Sequence, residues 1–136
     1  MTKKPLPEGA VIALDFGLAR TGAAVGNTIS RTAEPLAILS TPTNAKRWAA
    51  VDELNRAWEP VAFVVGVPRH PDGAPSELTA RCEKFARQVA ARYGRPCFTV
   101  DERYSSVEVE HGREKIDDAA AAVILEQFFN DLTSMS

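Results

Sequence analysis

The sequence predicts an α/β domain with a mixed five-stranded sheet in the order 3-2-1-4-5 and helices on both faces. Its first third holds three short apolar segments with small separations, which is typical of an antiparallel meander. From about residue 44 onward, helical periodicity alternates with apolar runs, and this favours parallel strands joined by crossover helices. The 136 residues suit one compact core. We therefore expect a single domain over residues 1–136, with a loose N-terminal segment at 1–9.

Five segments are predicted as strands because they are short, apolar and bounded by turn residues: Ala10–Leu14, Thr21–Val25, Glu34–Leu39, Val61–Val67 and Pro96–Val100. Pro35 in the third segment lacks a backbone donor and favours an edge position. The fourth segment, VAFVVGV, is continuously apolar, which is typical of a central strand covered on both faces.

Helices are predicted near residues 44–58 with Asn44 as N-cap, after Ser76 with Gly94 beyond its end, at Ser105–His111, and from about Asp117 to Asn130. The first has an apolar stripe at helical spacing, formed by Trp48, Val51, Leu54, Asn55 and Trp58. The second has the stripe Leu78, Cys82, Phe85, Val89 and Tyr93. The last is apolar around its circumference and is expected to be largely buried, with Ala121, Ile124 and Phe128 facing the sheet.

The composition excludes several classes of protein. A net charge of -2 argues against a broadly basic protein that coats nucleic acid, yet it is compatible with an acidic site flanked by local cations. No apolar run approaches the roughly 20 residues of a membrane helix, and no apolar segment follows Lys3 and Lys4 as in a secretory signal. Two cysteines, Cys82 and Cys97, are too few for a disulfide framework and lack the spacing of a metal site. We expect a cytoplasmic protein without a membrane partner.

Carboxylates stand where predicted elements end or begin. Asp15 ends the first strand, Asp101 and Glu102 end the fifth, and Asp117 opens the last helix, on the side expected to face the sheet. Such acids repel one another unless a cation joins them, and hard oxygen ligands favour Mg²⁺ or Mn²⁺. We expect a pair of these ions and in-line phosphodiester hydrolysis.

Each acid also has an ordinary structural interpretation. Asp15 could form a turn, and the run Asp101-Glu102-Arg103 could be a solvated loop with a surface ion pair. Asp117 could be a helix N-cap.

Four blocks of sequence now resemble a known family, the YqgF (RuvX-like) Holliday junction resolvases and pre-16S rRNA nucleases of the RNase H-like superfamily. The blocks occur in order over nearly the whole chain: DFGLARTG from Asp15, VVGVP from Val64 with Asp72-Gly73, DERYSSVE from Asp101, and IDDAAA from Ile116.

The resemblance implies an RNase H-like, RuvC-like fold and a metal-dependent nuclease that acts on the 5′ region of pre-16S rRNA or on branched DNA. It implies that the metal ligands are Asp15, Asp101 or Glu102, and Asp117. Because strand alternation sends Asp101 and Glu102 to opposite faces, the choice between them stays open here. Segment 110–115 is shorter than the basic segment that the family usually carries, so affinity for the substrate or its choice could differ.

Residues in loops near the predicted site are expected to contact phosphates, or else to be solvated surface charges: Arg20, Arg69, Arg103, Arg113 and Lys115. Tyr104 is a candidate for stacking on a base.

Two other functions stay open. One is a catalytically silent RNA-binding or ribosome-assembly factor on the same fold. The other is an actin-like nucleotide-binding module, which the Asp15-Phe16-Gly17 turn also resembles. Whether the protein is a monomer or a homodimer is left open.

Overall fold

The computed structural model describes residues 7–17, 19–70, 72–103 and 118–134. These residues form five strands and three helices, in the order β1 (Ala10–Asp15), β2 (Arg20–Asn27), β3 (Ala33–Ser40), α1 (Asn44–Trp58), β4 (Ala62–Arg69), α2 (Glu77–Tyr93), β5 (Cys97–Arg103) and α3 (Asp118–Ser134). The short helix expected at Ser105–His111 lies outside the described residues.

The strands form one sheet in the order β3-β2-β1-β4-β5, which confirms the predicted topology. β1 pairs with β2 and β2 with β3 in antiparallel fashion, whereas β1–β4 and β4–β5 are parallel. Pro35 lies on the edge strand β3, close to an irregularity in its register with β2 at Ala23/Ala24. β5 is longer than predicted, so Asp101 and Glu102 lie inside the strand rather than beyond its end.

The sheet separates two apolar cores. On one face α1 and α2 cover a cluster that includes Leu14, Phe63, Val65 and Phe85. On the other face α3 covers a cluster that includes Val11, Val64 and Phe128. Residues 62–68 of β4 are buried, as predicted for a strand covered on both faces.

Helix α1 has the predicted bounds but differs in two details. Its N-cap is Thr43, whose hydroxyl accepts a hydrogen bond from Lys46 N at 3.1 Å, and not Asn44. Trp58, predicted to lie in the core, is 42% exposed, whereas Arg47 is 4% exposed. The guanidinium of Arg47 can be buried because it donates to the carbonyl oxygens of Gly17 at 2.9 Å and Thr41 at 3.3 Å.

Helix α2 begins and ends as predicted. Ser76 is its N-cap, and Gly94 adopts a left-handed C-cap with φ of 62°. Thr79 accepts from Ser76 N at 2.7 Å and donates to Pro68 O at 2.5 Å, which attaches the start of α2 to the end of β4. Cys82, Phe85 and Val89 are buried.

Helix α3 faces the sheet with Ala121, Ile124 and Phe128, as predicted. The helix is less buried than its apolar circumference predicted, because Val123 on its outer side is 55% exposed. A helix that covers a single face of a sheet leaves its opposite side in water. None of the described helices is long and apolar enough to cross a membrane.

Candidate active site

Asp15 is a buried carboxylate on the α3 face of the sheet. Strand residues alternate between faces, and Val11 and Ala13 belong to the α3 core while Ile12 and Leu14 belong to the other. Asp15 therefore faces α3, and it is 2% exposed. The apolar residues Val11–Leu14 form a strand that is buried on both faces of the sheet. Asp15 ends this strand and is therefore buried with it.

Glu102 faces α3 as well. In β5, Val100 belongs to the α3 core, and the ring of Phe98 lies 5.1 Å from that of Phe128. Glu102, two residues beyond Val100, shares this face by the same alternation. Its side chain is half-buried, and its Oε2 atom is shielded from solvent.

Gly66 brings the two carboxylates near each other. Leu14 pairs with Val65, so continuing this register by one residue puts Asp15 beside Gly66. A Cβ atom on Gly66 would lie 2.8 Å from Oε2 of Glu102 and 2.5 Å from Cδ1 of Ile124. The Glu102 carboxylate thus reaches back over Gly66, which lies on β4, the strand between β5 and the strand that carries Asp15.

Asp101 points to the opposite face. Its Oδ1 accepts from Arg69 Nε at 3.2 Å, and Arg69 Nη2 also lies 3.5 Å from Oε2 of Glu83 on α2. The Asp101 side chain is 58% exposed. This group has the surface ion pair that the sequence left open as an alternative, although Asp101 lies in a strand and not in a loop.

The remaining predicted residues have different positions. Arg20 is exposed at the start of β2, at the end of the sheet where Asp15 lies, since Asp15 pairs with Gly22. Arg69, 23% exposed, contacts two carboxylates, so the structure shows it paired with protein acids. Arg103 is the last residue of β5 and pairs with Arg69 through the backbone. Four predicted residues lie outside the described ones: Tyr104, Arg113, Lys115 and Asp117.

A concave feature, here called the α1–α2 cleft, lies on the opposite face of the sheet from Asp15 and Glu102. It has a volume of 430 Å³ and is lined by Phe16, Asn44, Arg47, Trp48, Arg81, Lys84, Phe85 and Gln88. Sequence reasoning did not identify this cleft. The spacing of Arg81 and Lys84 on α2 was the available signal, but the approach of α1 is a tertiary feature that local spacing does not reveal.

A sequence profile of the family described as "RuvX: Holliday junction resolvase" matches residues 9–131. The chain belongs to this family. The resemblance on which the sequence analysis relied is thereby confirmed, and the protein is a member of a nuclease family.

Relatives in this family cover most of the chain. A protein of Polaromonas sp. (strain JS666 / ATCC BAA-500) is 49% identical over 122 residues, which are 89% of this chain and 88% of that protein. A protein of Burkholderia mallei (strain SAVP1) is 43% identical over 132 residues, with 92% and 90% covered. Both are named "Putative pre-16S rRNA nuclease".

Solved structures show the same fold. RuvC of T. thermophilus, solved with a Holliday junction substrate, has a TM-score of 0.57 at 18% identity, covering 93% of this chain and 96% of that one. The Fowlpox virus resolvase, solved with Holliday junction DNA, has a TM-score of 0.55 at 12% identity, covering 90% and 98%. The predicted RNase H-like, RuvC-like fold is thus confirmed.

The carboxylates on the α3 face fit the divalent ions that this fold implies. Asp15 and Glu102 offer hard oxygen donors on one face of the sheet, on either side of Gly66, and shielded carboxylates that share a face favour a common cation. Among the described residues, no three acidic, histidine or cysteine side chains form a complete metal cluster. The third predicted acid, Asp117, lies outside them.

Proposed function

We propose that this protein is a divalent-metal-dependent nuclease that hydrolyses phosphodiester bonds in the 5′ region of pre-16S rRNA. The observation that carries the proposal is that Asp15 and Glu102 share one face of the sheet across Gly66. The names of the curated relatives support rRNA as the substrate. Such a precursor is made in the cytoplasm, the compartment predicted from the sequence.

Asp15, Glu102 and Asp117 are the proposed ligands of a pair of Mg²⁺ or Mn²⁺ ions. When bound, such ions activate a water molecule and stabilise the negative charge of the leaving oxygen. Asp101 is not included in this set because its carboxylate faces α2 and pairs with Arg69.

The chain itself contributes position and shielding. β1 and β5 hold the two carboxylates on a rigid sheet, and α3 covers that face with Ile124 against Gly66. A carboxylate with 2% exposure acts in a medium of low polarity, where its interaction with a positive charge is stronger than in water. Arg20 and Arg103, at the same end of the sheet, are proposed to contact phosphates of the substrate, together with Arg113 and Lys115, while Tyr104 stacks on a base.

Isosteric amide substitutions test the ligand set. We expect Asp15→Asn and Glu102→Gln each to reduce cleavage of a structured precursor rRNA by at least about 100-fold, because each removes a negative charge from the ion site. Asp101→Asn is the matched control on the adjacent residue and should retain cleavage. The measurement is single-turnover cleavage with Mg²⁺ or Mn²⁺ supplied and then removed with EDTA.

Circular dichroism of each variant shows whether the fold is kept. Wild-type rates in Asp15→Asn, or a loss of cleavage in Asp101→Asn equal to that in Glu102→Gln, would contradict the proposed ligands. RNA binding without cleavage in the wild type would favour the silent assembly factor. Calorimetric binding of ATP would favour the nucleotide-binding module.

Branched DNA is the second candidate substrate. The family's description as a Holliday junction resolvase favours it. A four-way DNA junction tested beside structured RNA and single strands discriminates between rRNA and branched DNA. Cleavage of the junction alone would show that branched DNA, and not rRNA, is the substrate. The pattern of products from end-labelled RNA shows whether cleavage is internal or starts at an end.

A further inference from the structure

The α1–α2 cleft has a positively charged lining. Arg47 comes from α1, and Arg81 and Lys84 come from α2, whereas none of the described residues that line the cleft is acidic. The cleft belongs to the face opposite α3, so Asp15 and Glu102 take no part in it. Three cations around a volume of 430 Å³ create a local field that attracts an anionic ligand.

Arg81 and Lys84 lie three residues apart on α2, and both are exposed. Like charges at this spacing repel each other by a few tenths of a kcal/mol. Within the part of the chain that the structure describes, no carboxylate pairs with either of them, although Arg56, Arg69 and Arg92 all have acidic partners. The two cations are therefore available to a ligand that brings its own negative charge.

Arg47 is held in a fixed position. It donates to Asn44 Oδ1 at 2.7 Å and Gly17 O at 2.9 Å, and its guanidinium lies 4.5 Å from the centre of the Phe16 ring. The guanidinium is only 4% exposed, but it belongs to the lining of the cleft and adds positive charge there. A cation held in this way attracts an anion without further loss of side-chain entropy.

Aromatic side chains complete the lining. The rings of Trp48 and Phe85 lie 5.3 Å apart, and those of Phe16 and Phe85 lie 5.0 Å apart. Trp48 is only partly buried. Sites that bind single-stranded nucleic acid combine two components, namely Lys or Arg side chains that contact phosphates and aromatic rings on which bases stack.

The cleft lies next to Asp15 in the sequence, because the turn that follows Asp15 forms part of the cleft and its contacts. Phe16 lines the cleft and directly follows Asp15, and Arg47 binds the carbonyl of Gly17 in the same turn. A nucleic acid that passes from Asp15 to the cleft must bend around this end of the sheet. A single strand can follow such a path, whereas a stiff duplex cannot.

We propose that the α1–α2 cleft binds a single-stranded segment of the RNA substrate, next to the bond that is cleaved. This inference rests on the proposed nuclease function. The phosphates of the segment contact the exposed Arg81 and Lys84, the buried Arg47 adds positive charge behind them, and a base packs against the partly buried Trp48.

The double variant Arg81→Ala/Lys84→Ala tests the cleft, because it removes two exposed cations without touching the core. The matched control is Lys46→Ala/Arg87→Ala, which removes the same charges from exposed positions on α1 and α2 outside the cleft. Binding is measured by fluorescence anisotropy in EDTA, which prevents cleavage. The probes are a short RNA that covers only the carboxylate site and a longer one with a single-stranded extension.

We expect the cleft variant to bind the longer RNA roughly tenfold more weakly at moderate salt, and its salt slope to fall by about 1.4, since each phosphate neutralised on a single strand contributes about 0.7. Binding of the short RNA should not change. The control variant should match the wild type with both probes, and circular dichroism should be the same for all three proteins.

Equal losses in the cleft variant and in the control would overturn the inference, because the effect would then reflect net charge alone. An equal loss with both RNAs would also overturn it. Failure of the proposed function would give a different result. The wild type would cleave no RNA with either metal, while the cleft variant would still bind the longer RNA more weakly than the wild type does. Normal cleavage together with wild-type affinity of the cleft variant for the longer RNA would overturn the cleft inference alone.

Discussion

Gly66 shows how a single missing methyl group can determine the geometry of a site. A Cβ atom at this position would lie 2.5 Å from Ile124 Cδ1 and 2.8 Å from Glu102 Oε2, both shorter than ordinary van der Waals contact. One neighbour belongs to the core under α3 and the other is a proposed metal ligand. The same position therefore affects both the packing and the chemistry.

We predict that Gly66→Ala lowers the free energy of unfolding by about 1 to 3 kcal/mol, as overpacking does, and also reduces cleavage because Glu102 is displaced. In Gly66→Ala/Ile124→Val the Cδ1 atom is absent, so stability should recover in part while cleavage stays low. Urea denaturation and single-turnover cleavage measure the two effects. Recovery of both properties together would show that Glu102 is not displaced by the added methyl group.

The sequence predicted that Asp101 and Glu102 point to opposite faces, but it could not predict which one shares a face with Asp15. The alternation along one strand is a local property. The relative phase of β1 and β5 depends on their pairing with β4, where Leu14 meets Val65 and Gly66 meets Val100. This register is set by contacts between residues that are far apart in the sequence.

At the scale of elements, an ion pair joins α1 to α2. Asp52 accepts from Arg92 at 3.0 and 2.9 Å and from the hydroxyl of Tyr93 at 2.6 Å. The Arg92 guanidinium also lies 5.0 Å from the centre of the Trp48 ring. Hydrogen bonds from Arg92 and Tyr93 lower the pKa of Asp52 from 3.8 to about 2. The contact helps to fix the distance between the two helices that enclose the cleft.

We predict that Asp52→Asn destabilises the protein by about 1 kcal/mol at pH 7, a modest value because the pair is partly exposed to solvent. The pKa of Asp52 is lower in the folded state, so its contribution is complete above the ordinary value of 3.8 and is lost as pH falls toward about 2. Urea denaturation of both proteins at several pH values between these limits and neutrality measures the difference. A difference that does not depend on pH would contradict an ionic role for Asp52.

The helices were predicted well where periodicity and end signals agree. Helix α1 spans Asn44–Trp58, and α2 lies between Ser76 and Gly94 as expected. Arg47 was missed because the burial of an arginine depends on acceptors supplied by distant chain, here Gly17 and Thr41. An apolar stripe alone does not reveal such partners.

For the molecule as a whole, one sheet supports both cores. The topology was predictable because short connections restrict the first three strands to a meander, and crossover helices then require parallel strands. The two helical layers share β1 and β4, whose residues belong alternately to each core. Loss of either layer exposes apolar residues of the same strands.

We therefore predict cooperative, two-state unfolding. The chain has two tryptophans, and both lie on α1, so their fluorescence reports on one layer while far-ultraviolet circular dichroism reports on the whole fold. The urea midpoints from the two methods should coincide. An earlier fluorescence transition would show that the α1 layer separates before the sheet unfolds.

The alternation in β5 restricts how this chain can change in length. Inserting one residue between Val100 and Asp101 would exchange the faces of the two acids, turning Asp101 toward α3 and Glu102 toward Arg69. Point substitutions in this strand change one side chain at a time, whereas a single-codon insertion or deletion would reverse the direction of every side chain beyond it. We therefore expect the loops of this protein to accept a change in length that the strand carrying Glu102 does not.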